Sequence, residues 1–269
     1  MAPLDRPQPS IEAAPHAEWV AFVTLFTKEV LRFWKVALQT VAAPVLNALL
    51  FLLIFSNVLD RHVTTYGEVA YPTFLIPGLA IMSVMQNAFA NSSSSLIQSR
   101  ITGNLVFILL TPLSNATFFW GYALAATLRG LVVGAAVLLV TAPFVDLPFA
   151  EPLWALAFAC LSALLMGSFG IIAGIWSEKF DHLAAFQNFL VMPLTMLSGV
   201  FYSVAALPPF WQKVSHFNPF FFLIDGFRYG FFGQSDTDPR LSLAVGMLTT
   251  FVVVAWAYRW IAAGYKLRQ

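Results

Sequence analysis

Charge is what this sequence of 269 residues has least of: Asp, Glu, Lys and Arg make up 10 % of it, while 59 % is hydrophobic and 16 % aromatic. A soluble domain carries roughly 25 % charge, so the composition excludes a soluble enzyme and places the chain in a bilayer. The net charge of +1 gives no basic footprint for nucleic acid and no acidic tail. Its single cysteine, Cys160, lies in an apolar run, which excludes a disulfide framework and a cysteine-based metal site. His16, His62, His182 and His216 fall in different segments without ligand spacing, so no metal centre is expected. There is no Gly-Lys-Ser/Thr to cradle a phosphate, hence no ATP site on this chain. No Gly-x-Ser-x-Gly elbow marks an embedded hydrolase. No Asp or Glu falls inside any predicted span, which disfavours proton or sodium coupling.

What is present is hydrophobic runs, enough for six spans. Residues 1–15 are rich in Pro and Ala and read as a disordered tail ahead of one transmembrane domain, 16–269. From Trp19 to Trp34 the apolar residues Trp19, Phe22, Val23, Phe26, Val30, Phe33 and Trp34 share about 120° of a helical wheel. Lys28, Arg32 and Lys35 oppose them. That pattern predicts an amphipathic helix lying in the membrane interface. Spans are then expected over Ala37–Asn57, Pro72–Ser95, Ala116–Ala142, Leu153–Trp176, Leu183–Ser203 and Leu241–Trp260. The second carries Gln86, Asn87, Asn91 and Ser92 to Ser95 at its far end, a row suited equally to helix–helix hydrogen bonding or to the wall of a wet path. Between the second and third spans, Leu96–Ser114 is a connector with Arg100 at its start, a Gly103-Asn104 break and a Thr111-Pro112 stop.

The stretch from Pro193 to Arg228 does not fit one straight span. It passes the small-residue turn Ser198-Gly199 and the breaker pair Pro208-Pro209, then restarts at Asn218-Pro219 with a good N-cap followed by proline at the first helical position. The restarted piece ends near Gly233, after roughly 21 Å of helix against a ~30 Å hydrocarbon core. A re-entrant hairpin between the fifth and sixth spans is therefore expected. Counting basic residues by side gives Arg6, Lys28, Arg32, Lys35, Arg100, Lys179, Arg259, Lys266 and Arg268 on one face, against Arg61, Lys213, Arg228 and Arg240 on the other. This bias predicts cytoplasmic termini and an outward-facing hairpin. Arg129, in mid-span, needs a hydrated cavity or an anionic substrate to face, or else an internal partner such as a backbone carbonyl or Asp225.

Several of these residues together resemble the membrane permeases of type-2 ABC exporters, among them the YadH-like bacterial permeases. The likeness rests on the interfacial helix, the connector ending Thr111-Pro112-Leu113, the run Leu197-Ser198-Gly199-Val200-Phe201-Tyr202, then Leu207-Pro208, Asn218-Pro219 and Asp225-Gly226-Phe227-Arg228. The resemblance implies an all-α permease of the bacterial inner membrane that pairs with a second copy and docks two cytosolic ATPase subunits. ATP and Mg would then be bound by the partner, and no cofactor by this chain. It implies an exporter of amphipathic, lipid-linked, saccharide or drug-like cargo. Lys28, Arg32, Arg100, Gly103 and Pro112 would receive the ATPase stroke; Arg129, Gly199, Phe201, Tyr202, Asp225 and Arg228 would line the path or its gate. Many relatives have an acid just after the connector glycine, where this chain reads Gly103-Asn104-Leu105-Val106. An ion-driven carrier and a non-transporting membrane scaffold are the alternative classes.

Overall fold

A computed structural model describes residues 15–59, 64–65, 69–111 and 113–266. The tail before residue 15, the loop residues Asp60, Arg61, His62 and Glu68, and Pro112 lie outside the described residues.

The described chain is helical apart from one ribbon of two-residue strands, β1 (Thr64–Thr65) and β2 (Val69–Ala70), paired antiparallel. Helix α1 (Pro15–Trp34) turns through Lys35-Val36 into α2 (Ala37–Leu59). Then come α3 (Tyr71–Ile101), α4 (Asn104–Leu110), α5 (Asn115–Thr141) and α6 (Pro152–Trp176). After them run α7 (Phe180–Phe186), α8 (Met192–Met196), α9 (Pro209–His216), α10 (Pro219–Phe232) and α11 (Pro239–Ala262). Five helices, α2, α3, α5 with its short extension, α6 and α11, are long and apolar enough to cross a membrane.

Local chemistry explains where these helices begin and end. Proline sits in the first turn of α3, α6, α9, α10 and α11, where its missing N–H costs nothing. Ser114, Asn218 and Asp238 cap α5, α10 and α11 by accepting from the amides of Thr117, Phe220 and Arg240 at 3.1, 3.1 and 2.8 Å. Gly233, with φ of +65°, closes α10 in the left-handed conformation.

The predicted fifth span has a different shape. Helix α7 passes through a π turn, Gln187–Val191, into α8, and the helical run ends at Met196 rather than at Ser203. The π turn is set by the Met192 amide donating to the Gln187 carbonyl, one residue beyond the α-helical partner. Pro193, which has no amide hydrogen to give, follows directly. Helix α3 differs in the other sense, running six residues past the predicted Ser95 to Ile101. Its serines bond back to their own carbonyls instead of breaking the helix, as Ser93 does to Phe89 at 2.7 Å.

Helix α3 is the hub. In its most apolar stretch 78 % of residues are buried, against 11 % in α2, so α3 is the core of the bundle and α2 its rim. It packs against α5 and α6, and small residues set how closely. A Cβ on Gly170 would run into Ser92 Oγ and the Phe89 carbonyl, and one on Gly174 into Leu96 and Ser93. Ser92 Oγ donates to the Gly167 carbonyl at 2.6 Å. Ser92 therefore makes a helix–helix hydrogen bond, and Ser93 and Ser95 are buried beside it.

Candidate functional site

Two polar assemblies lie at opposite ends of the bundle. At one end α10 holds the broken chain after α8. Arg228, 2 % exposed, donates from both terminal nitrogens to the carbonyls of Gly199 and Val200 and lies 3.7 Å over the Phe74 ring. Those carbonyls are free because Gly199 turns the chain at φ of +76°, ending the helical ladder. The approach is close: a Cβ on Gly78 of α3 would meet the Val200 carbonyl and the Arg228 guanidinium. Tyr71 donates to the Phe201 carbonyl at 2.8 Å, while the Phe201 ring packs 5.4 Å from Phe51 of α2. Tyr202 reaches back to the Met196 carbonyl at 3.3 Å.

Asp225, one helical turn before Arg228, points to a different neighbour. Its carboxylate accepts from the amides of Asp236 and Thr237 at 2.8 and 3.1 Å and from the Thr237 hydroxyl at 2.7 Å. Asp236 in turn accepts from the Val204 amide at 2.7 Å and from the Ser203 hydroxyl. Asn218 completes the set, its side chain donating to the Leu194 carbonyl at 2.6 Å and to Ser198 Oγ at 2.8 Å. Arg228 and Asn218 are thus spent on backbone that the break leaves bare, and Asp225 on the loop before α11, which is the condition for irregular chain at membrane depth. Of the sequence-predicted residues, Gly199, Phe201, Tyr202, Asp225 and Arg228 come together here. Asp236 went unnoticed in the sequence, where it reads as one of several polar loop residues.

Arg129 belongs to the opposite end. Its guanidinium reaches Asn87 Oδ1 at 3.3 Å and Asn91 Oδ1 at 3.4 Å on α3. Its partner is therefore a pair of amides, and Asp225 is committed elsewhere. The Cβ of a helical residue tilts toward the helix N-terminus, which sends the Arg129 side chain toward the α1 end. There Arg32 of α1 also meets Asn91, donating to its carbonyl at 2.8 Å and to Oδ1 at 2.9 Å. Glu29, fully buried, pairs with Arg32 at 3.1 Å and with Lys28 at 3.3 Å.

The buried stripe of α1 is Leu25, Glu29 and Phe33, spaced by four and centred about 80° around the wheel from the middle of the apolar face. Trp19, Val23 and Trp34 consequently stay exposed, and Arg32 faces α3 rather than opposing the packed side. Glu29 is legible only in retrospect: it borders the apolar arc and is flanked by two bases.

Arg100 closes the same end. It donates to the carbonyls of Ser177 and Lys266, both at 2.7 Å, and Lys266 bonds Glu178 at 2.9 Å. This clasp ties the end of α3 to the α6–α7 loop and to the segment after α11. The Glu178 carboxyl is held below the usual carboxylate range by the Lys266 ammonium that hydrogen-bonds it. Gly103 follows at φ of +73° with open space around it, and α4 turns Val106, Phe107 and Leu110 outward. Among the described residues no cluster of His, Cys, Asp and Glu could hold a metal ion.

Residues 20–232 match the ABC-2 type transporter family. The inner membrane transport permease YadH of Escherichia coli K12 is 36 % identical over 258 residues, covering 94 % of this chain and 99 % of that protein. The nodulation protein J of Neorhizobium galegae is 23 % identical over 248 residues, 91 % of this chain and 93 % of that protein. Nodulation protein J of Rhizobium leguminosarum bv. trifolii is 24 % identical over 249 residues, with 91 % and 93 % covered. The apolar helices, the polar assemblies at their two ends and these matches lead to one conclusion: the chain belongs to the ABC-2 type transporter family, as a multi-pass membrane transport permease of an ABC transporter.

Proposed function

We propose that this permease exports an amphipathic, lipid-linked, saccharide or drug-like substrate outward across the inner membrane, powered by ATP that a separate cytosolic subunit hydrolyses. Family membership associates it with an ABC ATPase subunit. In the proposed assembly two permeases, each a single domain over 16–269, meet two ATPases, and ATP and Mg stay on the ATPases. Both termini are cytoplasmic. Helix α1 lies in the inner interface on its exposed Trp19, Val23 and Trp34. The run α7–α8 is the fifth of six spans, and α9 with α10 forms the outward re-entrant hairpin before the sixth, α11.

The observation that carries this reading is the clamp of α10 on the chain after α8. At 14 residues, α10 is too short to span; its Arg228 and its cap Asn218 satisfy the backbone where the run stops, and its Asp225 holds the amides of the loop before α11. A short helix plugging the end of a broken one is a gate that moves as a unit. At the other end, α4 with its exposed apolar side chains and the Arg100 clasp face the ATPase. Lys28, Arg32, Arg100 and Gly103 are the residues through which a stroke reaches α3 and α5. Both carboxylates buried among the described residues, Glu29 and Asp225, are already committed to partners, which supports a permease driven from outside over an ion-coupled carrier.

The test is co-expression with the cognate ATPase in inverted inner-membrane vesicles. ATP-dependent accumulation of substrate in the lumen is expected, abolished when the ATPase lacks its phosphate-binding lysine. Movement driven by an ion gradient without the ATPase would sink the proposal. Arg100→Glu, or proline at Ile101, is expected to leave ATP hydrolysis running while transport stops.

A further inference from the structure

The layer where α1 meets α3 and α5 carries more positive charge than its acids balance. Lys28 and Arg32 pair with Glu29, Arg129 meets Arg32 across Asn91, and among the described residues Glu29 is the only acid within ion-pair distance of any of the three. Two guanidiniums share one uncharged acceptor, Asn91 Oδ1, at 2.9 and 3.4 Å. Arg129 is poorly served by it: both its bonds are longer than the ~2.9 Å typical of N–H···O, and its Nε has no hydrogen-bond partner among the described residues. Like charges converging at low dielectric repel, and an amide oxygen does not neutralise them.

Depth says which anion is at hand. Asn91 lies 20 residues along α3 from Tyr71, about 30 Å at 1.5 Å per residue, which is one hydrocarbon thickness. Arg32 stands just before the start of α2, at the same level. The cluster is thus level with lipid head groups, and the side chains of Lys28 and Arg32 keep 47 % and 31 % of their surface open. Phosphate oxygens match the planar fork of arginine, and basic pockets between transmembrane helices at head-group level take acidic lipids.

We propose that Lys28, Arg32 and Arg129 form a binding site for the phosphate of a membrane lipid. The two arginines hold its oxygens, Lys28 closes the rim, and Asn87 and Asn91 keep the guanidiniums apart when it leaves. The site rests on α2 and α3 crossing the bilayer, and it is independent of what the permease carries.

The experiment uses the full chain in neutral detergent, read by thermal unfolding and by native mass spectrometry. Phosphatidylglycerol at about 100 times its Kd is expected to raise Tm by roughly 5 °C and to appear as a bound adduct. Diacylglycerol of the same chains, which lacks the phosphate, is expected to do neither. An equal shift with inorganic phosphate alone would overturn the lipid source. Arg32→Gln and Arg129→Gln are each expected to weaken lipid binding roughly fivefold, with Arg129→Lys recovering part of the loss. Because either glutamine variant can lower stability by itself, the quantity read is the lipid-induced increment. Should these variants not fold, Lys28→Gln at the open rim carries the test, with the same expected fold-change. Increments unchanged in the variants, or no adduct on the native chain, overturn the site. Since no transport is measured, that failure leaves the export proposal standing.

Discussion

The two ends of the bundle handle buried polarity in opposite ways. At the α10 end Asp225 takes three hydrogen bonds, Asp236 takes two more, and Arg228 spans two adjacent carbonyls. At the α1 end two arginines compete for one amide oxygen, Glu29 balances part of the charge, and α4 leaves Phe107 and Leu110 bare. The α10 end meets its buried charges within the chain. The α1 end does not, and it is the surface at which the proposed lipid phosphate and ATPase contacts fall.

This contrast is sharpest when each end is broken in turn. Asp225→Ala strands two buried amides and a hydroxyl at once, so a loss of about 3 kcal/mol is expected, seen as a fall in Tm of the purified permease. Asp225→Asn keeps one carbonyl acceptor and is expected to lose about half as much. A Tm unmoved by Asp225→Ala would show that the α10 clamp is not a unit. Next in size is Gly78→Ala, which pushes α3 away from Val200 and Arg228 and is expected to cost about 1–3 kcal/mol by overpacking. Transport should fall further than stability does if the proposed gate is correct, because the contact lies between α3 and the α10 clamp.

At the α1 end the losses shrink. Arg100→Gln gives up a partly exposed, charge-assisted clasp on Ser177 and Lys266, and about 1 kcal/mol is expected in Tm. ATP turnover per substrate moved should rise by a larger factor. Gly103→Ala meets no atom, yet its φ of +73° costs an L-residue about 1 kcal/mol. The expected result is near-normal expression with a changed response to ATPase binding. Smallest is the Lys266–Glu178 pair. Its depressed carboxyl contributes stability that is present at neutral pH and lost as pH falls below about 4. Glu178→Gln should erase that acid-side difference and little else, and high salt should mask it.

How much of this was legible before folding differs residue by residue. The N-cap and proline at Asn218-Pro219 announced α10 to the residue, because capping is a local matter of a few backbone amides. The end of α8 was half legible: the Ser198-Gly199 turn marked a break, but apolar residues continue past Met196 and put the predicted end at Ser203, whereas the stop is set by Gly199 turning onto Arg228, 29 residues later in the chain. Arg129 was visible as an anomaly while its partners were not, since amides on α3 look alike until one face is chosen. Helix α1 shows the same limit. Its apolar face was readable from spacing, but packing on α5 selected a stripe that buries Glu29.

By itself the sequence determined the class of environment, the helices and most of their caps, since apolar run length and local hydrogen bonding fix those without distant help. It also carries no Gly-Lys-Ser/Thr stretch that could cradle a phosphate. Tertiary structure alone decided which helix is the hub, which polar residues meet, and which end is left unfinished. Those outcomes depend on close approach at Gly78, Gly170 and Gly174 and on charges far apart in sequence being forced to share acceptors. Neither is written in any single stretch of chain.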